Sequence, residues 1–398
     1  MKSLPERYVV GTLILCVSSL TAFGQLQGQE PGEPWRLSLK VGGQYSDNRD
    51  ASATNKQSNL DGIVEPRVDF RYQDADRTWM QLTLTPLLKW HSHPRTAAEG
   101  AAQNNTQLFG SAEIEFMHRP TTTVTLNAGD QFAYNDDPQI IENGSTARRN
   151  QSYYRNDLHA GTEAALSEDA GVGVKVQSVT TRYQEVNEWD SDLLNGGVSP
   201  HYAVGYGWTL RGFVGMSQYQ TSNADPSRGS DVMTGDVGVE KNLTKSLVAK
   251  VMGGYQAVQY DNPDLESANM INGNVELVLQ AAEPTRFRLG AGYGYSPPGL
   301  NSYSAQKATT VSGEVDHDVL PDLLTMQLQG QYSDGQYEPE GVDTPGGSEK
   351  MTRLGVRGTY FASKTWTFTC GYSFEKWASE LRESFNRNLV DMSVRVEW

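Results

Sequence analysis

Several things are scarce in this 398-residue chain. It has two cysteines, Cys16 and Cys370, so it is no disulfide scaffold. Apolar residues make up 37% of it, its mean hydropathy is −0.55, and no apolar run after residue 24 approaches the ~18 residues of a membrane-crossing helix. That excludes a helical membrane protein. Positive charge is also short: 33 Lys and Arg against 48 Asp and Glu, a net charge of −15, which argues against nucleic acid as a partner. The signatures G-x-S-x-G, Walker A, H-E-x-x-H and C-x-x-C are missing, and no acidic stretch has EF-hand spacing, so no catalytic residue, metal or cofactor is expected.

What is present begins with an export signal over residues 1–24. Lys2 and Arg7 form a positive start, Val9 to Leu20 an apolar stretch, and Ala22-Phe23-Gly24 a small-x-small cleavage site. Leu15 is too large for the lipobox position before Cys16, so Cys16 is read as part of the discarded segment. Cys370 is then alone, and no intramolecular disulfide is possible. Residues 25–34 are expected to form a short periplasmic segment, and 35–398 the folded domain.

From Pro34 onward, two-faced segments alternate with polar connectors. The end of the chain is the cleanest case. Val390, Met392, Val394, Val396 and Trp398 alternate with Asp391, Ser393, Arg395 and Glu397, the period of two of a strand with unlike faces. The first strand is read near Trp35–Tyr45, the second near Gly62–Gln73, and the third carries Met80, Leu82, Leu84, Leu88 and Trp90 on one face. Short connectors fall at 74–77, 119–122, 167–170, 205–207, 242–245, 281–285, 319–322 and 362–365. Long ones fall near 46–60, 92–105, 135–150, 184–192, 220–230, 260–268, 296–306, 333–350 and 376–384. Strict alternation of short periplasmic turns with long extracellular loops is the pattern of an all-β, antiparallel, up-and-down transmembrane barrel. The connectors count about 18 strands, with 16 as the alternative, and put both termini on the periplasmic side. A soluble sandwich has no reason to keep this alternation throughout.

The indoles fit the same frame. Trp35, Trp208, Trp366 and Trp398 fall at periplasmic strand ends and Trp90 near the other end, as two aromatic girdles at the membrane interfaces would. The terminal Val394-Arg395-Val396-Glu397-Trp398 resembles the C-terminal signature by which the barrel assembly machinery recognises its clients, with Val394, Val396 and Trp398 as the assembly signal. Segments such as Val251-Met252-Gly253-Gly254-Tyr255, Leu289-Gly290-Ala291-Gly292-Tyr293 and Val356-Arg357-Gly358-Thr359-Tyr360 resemble porin-like outer-membrane β-barrel proteins found near exopolysaccharide export genes. That resemblance implies a Gram-negative outer-membrane location and a link to polysaccharide secretion. The implied partners are outer-membrane lipid and lipopolysaccharide, the assembly machinery and polysaccharide export components.

Closing such a barrel brings Arg36, Lys40, Arg67, Arg71, Arg353, Arg357 and Arg395 onto one lumenal wall, interleaved with Glu65, Asp69, Asp391 and Glu397. This wall reads as a salt-bridge ladder in preference to a basic track for anionic solutes. His91-Ser92-His93 reads as an exposed loop edge, and His159 as a lumenal residue among Arg155, Asp157 and Glu163. Glu185, Glu188, Asp190 and Asp192 share one long loop, and Glu338, Glu340, Asp343 and Glu349 the longest. Asp136, Asp137, Arg148 and Arg149 lie in a loop that could fold inward. Cys370 belongs to the lipid face. The expected function is a channel for hydrophilic solutes or exopolysaccharide. A structural or adhesive surface barrel with acidic loops is the first alternative, and an outer-membrane hydrolase the second.

Overall fold

The computed structural model describes residues 34–48, 53–54, 56–74, 77–93, 105–135, 152–183, 190–222, 229–262, 266–282, 284–296, 303–339, 346–381 and 383–398. The export segment, Glu185, Glu188, Glu340, Asp343 and the 136–151 loop lie outside these residues.

Eighteen strands are present: β1 Trp35–Ser46, β2 Asn59–Asp74, β3 Thr78–His91, β4 Thr106–His118, β5 Val124–Asn135, β6 Tyr153–Ala165, β7 Ala170–Tyr183, β8 Asp190–Gly205, β9 Trp208–Ser222, β10 Ser230–Asn242, β11 Leu247–Tyr260, β12 Ala268–Ala282, β13 Thr285–Ser296, β14 Tyr303–Leu320, β15 Leu324–Pro339, β16 Gly347–Phe361, β17 Trp366–Ser379 and β18 Phe385–Glu397. Each pairs antiparallel with its neighbours in sequence, and β1 pairs with β18, so the sheet closes on itself. The seam runs in continuous register from Ser38↔Glu397 to Ser46↔Leu389. Trp398 extends it by donating to the Leu37 carbonyl (2.9 Å) and accepting from the Leu37 amide (3.2 Å). Closure removes both sheet edges, which a bilayer requires of any spanning sheet.

Local chemistry explains the tight turns. Four of them share one pattern, a Ser or Thr whose hydroxyl accepts the amides two and three residues on, at 3.0–3.3 Å. They are Thr121-Thr122-Thr123-Val124, Ser167-Glu168-Asp169-Ala170, Thr244-Lys245-Ser246-Leu247 and Ser363-Lys364-Thr365-Trp366. The hydroxyl takes over amides that the ladder leaves unpaired. The β8–β9 turn is shorter still. Its two residues, Tyr206 and Gly207, have φ of 52° and 74°, the positive values a two-residue type I′ hairpin needs.

The expected alternation of short and long connectors holds around the ring, with corrections where strands run into the expected loops: β14 begins at Tyr303, inside the expected 296–306 loop, and β17 runs on to Ser379, so the expected 376–384 loop shrinks to 380–384. β15 runs on to Pro339, so the expected 333–350 loop shrinks to 340–346 and Glu349 belongs to β16. Asp190 and Asp192, expected in a loop, begin β8. In these places the sheet continues beyond the apolar band, where apolar–polar alternation no longer marks a strand.

The outer face is inverted relative to a water-soluble sheet. Val237, Ile271 and Val214 are 75, 69 and 68% exposed; Val214 lies opposite Val198, Ile271 opposite Tyr255, and Val237 between Gly212 and Gly253. In a bilayer this sheath is covered by lipid.

Candidate channel lumen

The alternate residues point inward, and cross-strand register decides which of them meet. At the seam, Lys40 lies opposite Arg395 on one side and Glu65 on the other. Glu65 bonds both: Lys40 Nζ at 3.1 Å and Arg395 Nη2 at 3.5 Å. Arg36 pairs with Glu397. Arg67 donates two 2.8 Å bonds to Asp69, and the Thr83 hydroxyl donates a third to that carboxylate, also at 2.8 Å. Arg357 Nη2 lies 3.8 Å from Asp391, and Arg353 Nε 3.2 Å from Glu375. Arg71 shares the face, opposite Gln81. The seven basic residues anticipated from sequence thus occupy one wall, in a ladder with acids between them. Arg387 and Glu375 were not anticipated. They form a two-bond pair (2.6 and 2.8 Å) that is almost wholly buried.

The rest of the ring is also polar at mid-height. Glu115 faces His159 at 3.4 Å, Gln177 donates to Asp157 at 2.7 Å, Arg211 to Glu240 at 2.9 Å, and Arg288 to Glu314 at 2.6 Å. His159 therefore lies inside, as its parity implies. On β13, Gly292 and Gly294 thin the wall. They leave a polar hollow of about 260 Å³ edged by Asp236, Gln256, Asn272 and Asn274.

The loop end of the lumen differs from what sequence parity suggests. Phe109, Tyr153, Tyr183, Leu193, Met351, Trp377 and Phe385 point inward and are buried. Tyr153 packs on Tyr183 (5.9 Å between rings), and Trp377 stacks on Phe385 (6.1 Å). This apolar collar spans much of the ring; over β18 and β1–β3 it gives way to Arg387, Asn59, Asp61, Lys89 and His91. Its sequence signal is adjacent apolar pairs at strand ends, such as Leu108-Phe109, Tyr153-Tyr154 and Leu193-Leu194, where both faces turn apolar. The reading of His91 as an exposed loop edge is corrected. His91 ends β3, is 1% exposed, and lies 2.6 Å from Asp61 and 3.2 Å from Gln107. Ordered strand extends one residue further than the apolar alternation shows, and Asp61 draws the ring inward. His93 stays exposed.

On the outer face, Trp35, Trp208, Trp366 and Trp398 lie at the turn end and Trp90 at the loop end, all exposed. Trp35 packs on Phe70 (4.6 Å), and the Lys241 ammonium sits 4.7 Å from the Trp208 ring, an arrangement suited to an interfacial indole. Val394 and Val396 share that face with Trp398, and so does Cys370.

A closed 18-stranded ring, apolar outside and polar inside, has the architecture of a transmembrane β-barrel. Residues 211–398, from within β9 to the end of the chain, match the family described as Putative beta-barrel porin 2. Among solved structures, the outer-membrane protein OpdK of Pseudomonas aeruginosa is similar, with a TM-score of 0.50 at 10% identity over 92% of this chain and 99% of that one. OpdK solved with vanillate gives 0.50 at 11% identity over the same shares. These likenesses are of fold. No curated protein matches the chain.

Proposed function

We propose that this barrel is a channel through which hydrophilic solutes cross the outer membrane. The observation that carries the reading is the inner wall. At mid-height it is lined by charged and amide side chains in a ring too wide for side chains to fill. Such a wall serves no purpose against lipid and offers a solute replacement for its hydration shell. The ladder pairs most seam-wall cations with acids, so the field inside is local and alternating, and selectivity among ions is modest.

Exopolysaccharide is the finer candidate within this reading. Neutral or weakly acidic saccharides suit a wall of paired charges and amides, and the aromatic collar offers flat apolar faces on which sugar rings can rest. The lumenal acid and histidine sets serve as ladder members, not as a nucleophile with its base, so an enzyme is not our reading. The test is solute uptake into proteoliposomes, comparing mono-, di- and oligosaccharides. Swelling that falls with saccharide length supports passage through this lumen. The same slow rate for liposomes with and without protein would defeat it.

A further inference from the structure

We propose that the outer rim of β16–β18 binds the phosphates of lipopolysaccharide, with Lys350, Lys376 and Lys56 as the anchoring cations. The inference rests on the outer-membrane reading and adds a site to the outside of the barrel. On β16 and β17 the outward face is apolar up to Leu354 and Phe374, which lie side by side. The next outward positions toward the loop end are Thr352 and Lys376, also side by side, and then Lys350. Lys376 lies opposite Asn386 of β18, and the Lys56 ammonium, arriving from the β1–β2 connector, bonds Asn386 Oδ1 at 2.6 Å. Three ammonium-bearing side chains therefore gather directly above an apolar surface, in a chain whose net charge is −15.

The nearby acids are engaged by other donors. Asp47 is held by the Asn388 amide and side chain (2.7 and 2.6 Å). Glu380 accepts from Ser348 N and Oγ (2.8 and 3.1 Å), and Glu383 from Ala53 N (3.1 Å). Among the described residues, Asp334 is the carboxylate beside Lys350, at 4.0 Å with Lys350 half exposed. Lys376 is exposed and has no carboxylate partner among the described residues. Cations immediately above a lipid-covered face match a molecule with phosphate at the headgroup level and acyl chains below it. Free phosphate would use only the upper half of this surface. The outer leaflet supplies the two-part ligand as lipopolysaccharide.

The test uses the full barrel in detergent and measures retention of bisphosphorylated lipid A by native mass spectrometry. At roughly 1 kcal/mol per basic residue near an anionic surface, and with the added repulsion of a carboxylate, Lys376→Glu should weaken binding by at least about fivefold, and K350E/K376E by at least about thirtyfold. K350R/K376R should bind as wild type does. Lys241→Glu, an outward lysine at the opposite rim, should change nothing. Heat-modifiable electrophoretic migration establishes that each variant is folded. Equal retention by wild type and a folded K350E/K376E would overturn the proposal. So would equal binding of dephosphorylated lipid A, or displacement by equimolar inorganic phosphate. Loss of solute passage with lipid A retention intact would instead count against the channel reading alone.

Discussion

Glu375→Ala is the sharpest single perturbation of the lumenal wall. Glu375 is 1% exposed and Arg387 6%, and the two share bonds of 2.6 and 2.8 Å. Arg353 adds a 3.2 Å contact from a side chain that is 46% exposed. Removing the carboxylate leaves the Arg387 guanidinium buried without its counter-ion, a change that costs about 3–5 kcal/mol. The Arg353 contact, screened by solvent, adds at most about 1 kcal/mol. The assay is urea unfolding of the barrel in detergent micelles, followed by indole emission, to which Trp377 two residues away contributes. The Glu375→Ala midpoint should fall by the equivalent of that cost. Arg387→Ala should cost a similar amount, and the double variant E375A/R387A clearly less than the two together, because the orphaned charge is then gone. A Glu375→Ala cost below about 1 kcal/mol, or strict additivity of the two, would refute the argument that this pair is desolvated and coupled.

Other consequences follow from the same wall, face and turns. Met392→Arg, midway along the lipid face of β18 between Trp398 and Asn388, should destabilise by about 2–4 kcal/mol, whereas Thr369→Arg on the lumenal face should cost far less; the same unfolding assay in lipid vesicles compares them. Ser363→Ala removes a hydroxyl that accepts two turn amides at 3.1 Å and should cost about 1 kcal/mol. Deleting Trp398 removes both seam bonds to Leu37 and an interfacial indole, so the fraction of protein reaching heat-modifiable form in the outer membrane should fall; normal insertion would count against an assembly role for that residue. Arg67→Ala leaves Asp69 without its two-bond partner, and reversal-potential measurements should show a shift toward cation preference. An unchanged reversal potential would mean that this part of the wall does not face the conducting path.

The fold was legible in the sequence because a membrane barrel writes the same constraint on every strand. Lipid on one side and polar surroundings on the other force a period of two, and up-and-down connectivity forces short and long connectors to alternate. The seven seam-wall cations were legible for the same reason, since parity and closure alone place Arg36, Arg67 and Arg395 together. What failed lies where that constraint lapses. β15 passes above the lipid band, so Ser333 to Pro339 lost their alternation and read as loop. His91 is buried by Asp61, thirty residues away, a pairing that only the β2–β3 register supplies. The aromatic collar turns inward at positions parity reserves for polar residues, and Trp377, which fell in the expected 376–384 connector, belongs to β17 and stacks on Phe385. The Glu375–Arg387 pair was equally hidden, because its members belong to separate strands whose register is set by the β17–β18 turn.

The central claim is that the polar interior conducts. Single-channel recording in a planar bilayer tests it most directly, with the wild-type barrel verified as folded by heat-modifiable migration. Discrete, ohmic conductance steps that scale with bulk salt are the predicted result. Folded, inserted protein that leaves the bilayer at its baseline conductance would contradict the channel account.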